Sequence, residues 1–324
     1  MAPVRPFVTS PVITGIAIGY SNPSLTLIAD RVLPRIPVAA EKFKWSFYPV
    51  AQMFSVPPTR VGRSGQVQRV AFSGEERTGS VEDYGLEDAI PISDIEEAAK
   101  MREQMLGNYD PELVAAAGLT NLILLDREVR TASIAQNPSN YAATRRIALS
   151  GTSQFSDYVN SDPIGVLKTA FQSTLIYRPN KMSMGRDVWT ILSSHPHIVN
   201  AIKGNTTGRG IVTVEEFVRL FSGEGLKELN IGESFVNTAR RGQPEVLNRV
   251  WGKSIQLHYI DVAARPEMGS PTWGFSAQYG SRIGGVWEDK NVGLMGGKVI
   301  RIGERIAEVV SAPDTGYLIQ NAVA

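Results

Sequence analysis

Cysteine is absent from the 324 residues, which excludes disulfides, thiolate metal sites, redox motifs and a Cys nucleophile. Histidine is nearly as scarce, with only His195, His197 and His258. His195-Pro-His197 sets two imidazoles two residues apart across a proline, a poor spacing for shared ligation on one helix face, and reads as a helix boundary. Excess charge of either sign is missing too: 33 Lys+Arg oppose 32 Asp+Glu, a formal +1. The chain as a whole is therefore no polycation built to coat nucleic acid, and any such contact is local. No apolar run approaches the ~18 residues that a bilayer demands, and the N-terminus lacks a charged stretch followed by an apolar core. A soluble intracellular product without a membrane partner is expected.

Catalytic motifs are equally lacking. Gly293-Leu-Met-Gly296-Gly297-Lys298 has neither the spacing nor the Ser/Thr of a phosphate loop, and Gly204-Asn-Thr-Thr-Gly208-Arg-Gly210 is no dinucleotide fingerprint. Gly19-Tyr-Ser21-Asn-Pro23 puts proline where a nucleophile elbow needs its second glycine. Acids crowd residues 82–97, which a helix start tolerates for its dipole. No catalytic residue, cofactor or metal ligand is assigned, and the chain is not read as an enzyme.

What is present is a core-forming composition, 43% hydrophobic and 20% charged, interrupted by 30 Gly and 19 Pro. The length calls for two subdomains, or one domain with long excursions. Six prolines among residues 1–42 forbid a long helix or central strand, while aliphatics such as Ile28, Val32, Leu33 and Ile36 are too apolar to remain in water. This is an extended arm that must lie on something. Alternation over Phe43-Lys-Trp45-Ser-Phe47-Tyr48 and again over Val67-Gln-Arg69-Val70-Ala-Phe72 predicts two strands of a long hairpin with a Pro-Pro and Gly tip, marginal without a covering neighbour.

Charge divides sharply along this stretch. Residues 1–69 carry eight bases and two acids; residues 70–97 carry nine acids and one base. Either these are solvated surfaces, or the basic loop and the acidic segment meet between subunits, where opposed patches steer association.

Ser93-Asp-Ile-Glu96 has the capping-box spacing and predicts a helix to about Leu106. Asp110 and Pro111 open a stronger one, with Leu113, Ala116, Ala117, Thr120, Ile123, Leu124 and Arg127 at helical spacing until Asn137-Pro138. A helix over 111–136 would reach about 40 Å, a spine rather than an ordinary helix. Residues 139–162 read as loop. Asp162-Pro163 caps the next helix, a strand is expected from Asn180, helices over 186–195, 196–203 and 213–220, and a strand over 254–260. Strands over 272–280, 282–288, 298–302, 306–310 and 316–322 close an α+β chain.

The order of parts resembles tailed-bacteriophage major capsid proteins of the Hong Kong 97 fold. Three stretches carry the likeness: Ser10-Pro-Val-Ile-Thr-Gly-Ile-Ala-Ile-Gly-Tyr20 leading to Ile28-Ala-Asp-Arg-Val-Leu-Pro34; Ala89-Ile-Pro-Ile-Ser93 before the spine helix; and Tyr177-Arg-Pro-Asn180-Lys-Met-Ser-Met-Gly185-Arg-Asp-Val-Trp189-Thr-Ile-Leu-Ser-Ser-His195-Pro. The resemblance implies an N-arm over 1–42, an E-loop hairpin over 43–92, a P-domain over 93–162 and 265–306 with the spine helix at about 111–136, an A-domain over 163–264, and a C-terminal A-domain strand over 307–324. It implies self-assembly into hexamers and pentamers of an icosahedral virion capsid around double-stranded DNA, contacted non-specifically, with assembly in the bacterial host cytoplasm. A scaffold protein, a portal, and a decoration or cement protein are the further partners it implies. Met1 favours a separate scaffold over a removed leader. The expected intersubunit contacts are Trp45, Phe47, Tyr48, Arg60, Arg63, Arg69, Glu82, Asp83, Glu87 and Asp88, and residues 1–92, an apolar arm and a two-stranded loop expected to have no local core, should gain most of their stability from neighbours. Part of the family cross-links through an E-loop Lys; none occurs between Tyr48 and Ile92, so no such bond is expected. The alternatives are an encapsulin-like nanocompartment shell and a soluble hydrolase.

Overall fold

A computed structural model describes residues 22–47, 54–63, 65–71, 75–105, 107–174, 176–204, 208–240, 242–261 and 271–324. Two five-stranded sheets and one long helix organise them. In the first sheet β1 (Arg35–Val38) runs parallel to β11 (Gly274–Tyr279), which pairs antiparallel with β13 (Gly297–Val310). β13 also pairs with β12 (Ile283–Asp289) and with β4 (Glu82–Pro91). Pro37 is tolerated in β1 because that strand lies at the sheet edge. The expected strands 298–302 and 306–310 are thus one continuous strand.

The second sheet has the order β5 (Arg146–Ala148), β14 (Gly316–Gln320), β10 (Ile255–His258), β6 (Lys181–Gly185), β7 (Glu228–Gly232). Its three middle strands, β14, β10 and β6, are buried almost throughout. Met182, Met184, Ile255, Leu257 and Ile319 enter a core with Leu167 and Phe171 of α4 (Pro163–Ser173), Val188 and Leu192 of α5 (Arg186–Ser193), Ile198 and Val199 of α6 (Pro196–Lys203) and Phe217 of α7 (Val214–Leu220). Asp162 caps α4 by accepting from Gly165 N, and Thr213 and Glu216 close a reciprocal capping box on α7. β5 and several short 3-10 turns replace part of the loop expected over 139–162.

Helix α3 (Pro111–Gln136) is capped by Asp110, whose carboxylate accepts from Glu112 N at 3.0 Å and Leu113 N at 3.4 Å. It lies along β4 and β13. Helix α2 (Ile92–Glu103) begins directly after Pro91, so Ser93 sits inside it and bonds Asp94 instead of capping. The capping-box expectation fails because a proline already ends the preceding strand one residue earlier, and the helix stops short of the expected Leu106.

The hairpin differs from expectation as well. β2 (Lys42–Phe47) pairs with β3 (Glu75–Ser80), not with the segment from Val67; residues 65–71 carry no ladder, and Phe72 and Tyr48 fall outside the described residues. Glu-Glu-Arg-Thr-Gly-Ser has poor strand propensity. It is a strand because β2 offers a partner, with Lys44 paired to Glu76 at 2.9 Å. The acidic stretch thus builds β3, β4 and α2.

The arm also packs inside its own chain from residue 22 onward. Ile28, Val32 and Leu33, around the short helix α1 (Ala29–Val32), share a core with Ala132, Ala135, Tyr141, Trp251, Trp273 and Leu318, and Ile36 joins Phe43 and Phe275. The expectation that the arm lacks a local core is overturned for these residues.

Candidate assembly surfaces

Nearly all the described residues among 54–71 are exposed. Val56 is 93% exposed and Val67 76%, with Phe54, Val61 and Val70 also open. Arg60, Arg63 and Arg69 are exposed, and among the described residues no carboxylate lies within ion-pair distance of them. Three cations and five open apolar side chains with no acid between them make a surface that water solvates at a cost.

A second surface has the opposite sign. β4, α2 and α3 enclose a groove of about 580 Å³. Ile90 and Leu119 are buried in its floor beside Met101 and Leu122, and Glu87, Asp88, Asp94 and Glu97 line it. Its field is felt by Tyr109, whose phenol is pushed above its ordinary value by burial first, then by Asp94, Asp110 and Asp88.

Of the remaining expected contact residues, Trp45, Glu82, Asp83 and Glu87 have side-chain partners in their own chain. Trp45 stacks on Phe43 at 5.7 Å and meets Phe275 edge-on at 6.3 Å. Phe47 stands opposite Glu75 on the β2–β3 ladder. Glu82 accepts from the Tyr84 hydroxyl at 2.8 Å; burial, then this carboxylate, pushes Tyr84 up to about 12. Asp83 pairs with Arg305 at 3.3 Å, and Glu87 with Arg301 at 2.6 Å, that guanidinium also lying 4.5 Å over Trp287. Asp88 is exposed.

Sequence reading missed a buried polar network at the arm. Arg127 is 1% exposed and Glu128 fully buried, neighbours on α3. Burial alone raises the Asp30 carboxyl, but Arg127 and Arg35 outweigh it and hold Asp30 below the usual carboxylate range. Arg35 in turn donates to the buried Glu304 at 2.7 Å. The available signal was Arg127 itself, a charge on the stripe of α3 that otherwise reads as core.

The histidines are structural. His195 is buried; its Nδ1 accepts from His197 N at 3.2 Å and so caps α6, leaving the Nε2 proton to be donated to Ser161 Oγ at 3.0 Å. That tautomer cannot take a proton from Ser161, so the pair is no nucleophile and base. Burial first, then His197, lowers His195 to about 4. The ring of His258 stacks on Trp273 at 3.6 Å, and its Nε2 meets the Tyr141 hydroxyl at 2.7 Å. Because that hydroxyl donates to Ala135 O at 2.6 Å, His258 is the donor to it. Among the described residues no helix is long and apolar enough to cross a membrane, and no group of three metal-ligating side chains is found.

A chain with two open surfaces of opposite sign, and no reactive constellation among the described residues, has the character of a subunit built to be covered by copies of itself. No protein-family model matches it. It is 41% identical over 319 residues to the major capsid protein of Pseudomonas phage JBD67, spanning 98% of each chain. Among solved structures it is similar to a phage-related protein from Bordetella bronchiseptica, with a TM-score of 0.68 at 22% identity over 92% of each chain. The capsid of cyanophage P-SCSP1u gives 0.58 at 10% identity, over 98% of this chain and 93% of that one. The chain belongs to the phage major capsid proteins. It is a mixed helix-and-sheet structural component of the virion that associates with itself, not an enzyme.

Proposed function

We propose that the subunit assembles as hexamers and pentamers into an icosahedral shell around double-stranded DNA. On this reading 1–42 is the N-arm, 43–92 the E-loop, 93–162 and 265–306 the P-domain, 163–264 the A-domain and 307–324 its last strand. Assembly takes place in the host cytoplasm, with a separate scaffold, a portal and a decoration or cement protein as partners. The observation that carries the reading is the pair of open surfaces: a basic, apolar tip at 54–71 and an acidic, apolar groove between β4, α2 and α3. The tip of one copy reaches the acids of the next, Asp88 and Glu87 foremost, with Glu82 and Asp83 at the far end of β4. Each exposed pair contributes about 0 to 1 kcal/mol, but a shell repeats it at every contact.

Replacing Arg60, Arg63 and Arg69 together by Glu tests this. Closed particles counted by negative-stain imaging should fall at least tenfold, while the thermal midpoint of the free subunit stays put because these side chains are exposed and no described carboxylate pairs with them. Normal particle yield would reject the contact. Nucleic acid extracted from wild-type particles distinguishes a genome shell from an enzyme-filled compartment.

A further inference from the structure

Helix α1 has four residues and no side-chain cap of its own, far too short to persist alone. It is held instead by two consecutive residues of α3. The Glu128 carboxylate accepts from Ile28 N at 2.9 Å and Ala29 N at 2.8 Å, at the amide end of α1. Arg127 holds the other end: Nη2 donates to Leu33 O at 3.1 Å and to Ser276 Oγ at 3.1 Å, while Nη1 pairs with Asp30. Negative charge thus meets the amide end of the turn and positive charge the carbonyl end, the arrangement that helix electrostatics favours.

Neither charge sits there cheaply. Burial pushes the Glu128 carboxyl up and pulls the Arg127 guanidinium down, so both pay desolvation. Glu128 is itself held by the Trp251 indole, Nε1 to Oε1 at 2.6 Å. Trp251 is positioned by the second sheet, since its ring packs against Gly232 of β7, where a Cβ would stand 2.0 Å from it.

The segment so held touches both sheets. Pro34 O accepts from Ser276 N of β11 at 2.9 Å, and Arg35 reaches Glu304 of β13. On the other side, Arg31 O accepts from Lys181 of β6 at 3.1 Å. Asn22 bonds Phe235 reciprocally, through Nδ2 at 2.8 Å and Oδ1 at 2.9 Å. Residues 22–38 are a strap laid across α3 from one sheet to the other.

We propose that Arg127 and Glu128 are positioning residues for assembly: they seat the strap in the free subunit, before any neighbour is met, and thereby set how the two sheets lie relative to each other. The assembly half of this statement rests on the shell reading above; the seating half does not.

Hydrogen exchange on free subunits tests the seating, and particle yield tests its consequence. In Glu128→Gln the amide NH2 cannot replace an acceptor for three donors, so the Ile28 and Ala29 amides should exchange at least tenfold faster while β10 stays protected. Closed particles should drop at least fivefold. Phe217→Leu, in the core of α7 away from the strap, serves as the control: it should lower the thermal midpoint yet leave strap protection and particle yield intact. Should Glu128→Gln fail to fold, Trp251→Phe removes one donor and is read the same way, with an intermediate rise in exchange expected. Strap exchange equal to wild type in the variant that folds overturns the seating, as does an unprotected strap in wild-type subunits. Equal loss of particles in Phe217→Leu at matched midpoint overturns the positioning role. If wild-type subunits form no particles at all, the shell reading falls while strap exchange still decides the seating.

Discussion

Residues 22–38 and residues 54–71 resemble each other as sequence and differ as structure. Both are proline-bearing, basic and apolar; the first is roofed by α3, Trp251 and Trp273, and the second lies open with Val56 93% exposed. The strap meets buried carboxylates, Glu128 and Glu304, within its own chain, whereas no described carboxylate forms an ion pair with Arg60, Arg63 or Arg69 of the tip. Apolar content therefore does not by itself say whether a segment is covered within its own chain; the placement of opposite charge does.

Paired truncations would break this contrast most strongly. Leu33→Ala in the strap should destabilise the free subunit by about 2–5 kcal/mol, the range for emptying a buried leucine site, measured by urea unfolding. Val56→Ala at the tip should stay within about 0.5 kcal/mol. Similar losses at both sites would erase the distinction.

Acid should act on the strap's seat and spare the tip. Burial lowers His258 to about 3, against about 6.5 unfolded. The unfolded chain therefore binds the extra proton between those values, and stability falls as pH falls through this window. From pH 7 to 5 the His258 share of the loss is about 2 kcal/mol. His258→Gln should flatten the pH dependence of the urea midpoint by that amount; an unchanged slope would remove His258 from the account.

The smallest expected effect is none at all. A covalent link through the tip would need a neutral amine, and an Arg guanidinium with a pKa above about 12 supplies none. Lys44 at the base of the hairpin is engaged with Glu76. Particles boiled in detergent should return one band near 35.3 kDa; a ladder of multiples would make Lys42 and Lys44 the first suspects.

Local chemistry was the legible part of the fold. Asp110 with Pro111, Asp162 with Pro163, and Thr213 with Glu216 announce three helices because each cap acts within three residues. β3 and β4 escaped notice since their acids and glycines argue against strands; their partners, β2 and the arginines of β13, lie far along the chain. Of the surfaces, the arginines of the tip were readable because nothing described covers them. The groove was only half readable: its acids stand out in sequence, but Met101, Leu119 and Leu122 face them through the crossing of two helices. Arg127 and Glu128 were hidden for a different reason, since whether a charge on a helix is buried depends on a segment almost a hundred residues earlier.

Strand β13 carries a mechanical consequence. Over residues 297–303 it is bonded on one side to β12 and on the other to β4, and its far end is bonded to β11. A strand gripped on both edges cannot be peeled away one bond at a time when tension runs along it. The bonds of both ladders must slide together, in shear. Tension directed along β13 would therefore meet the strand in its strongest direction.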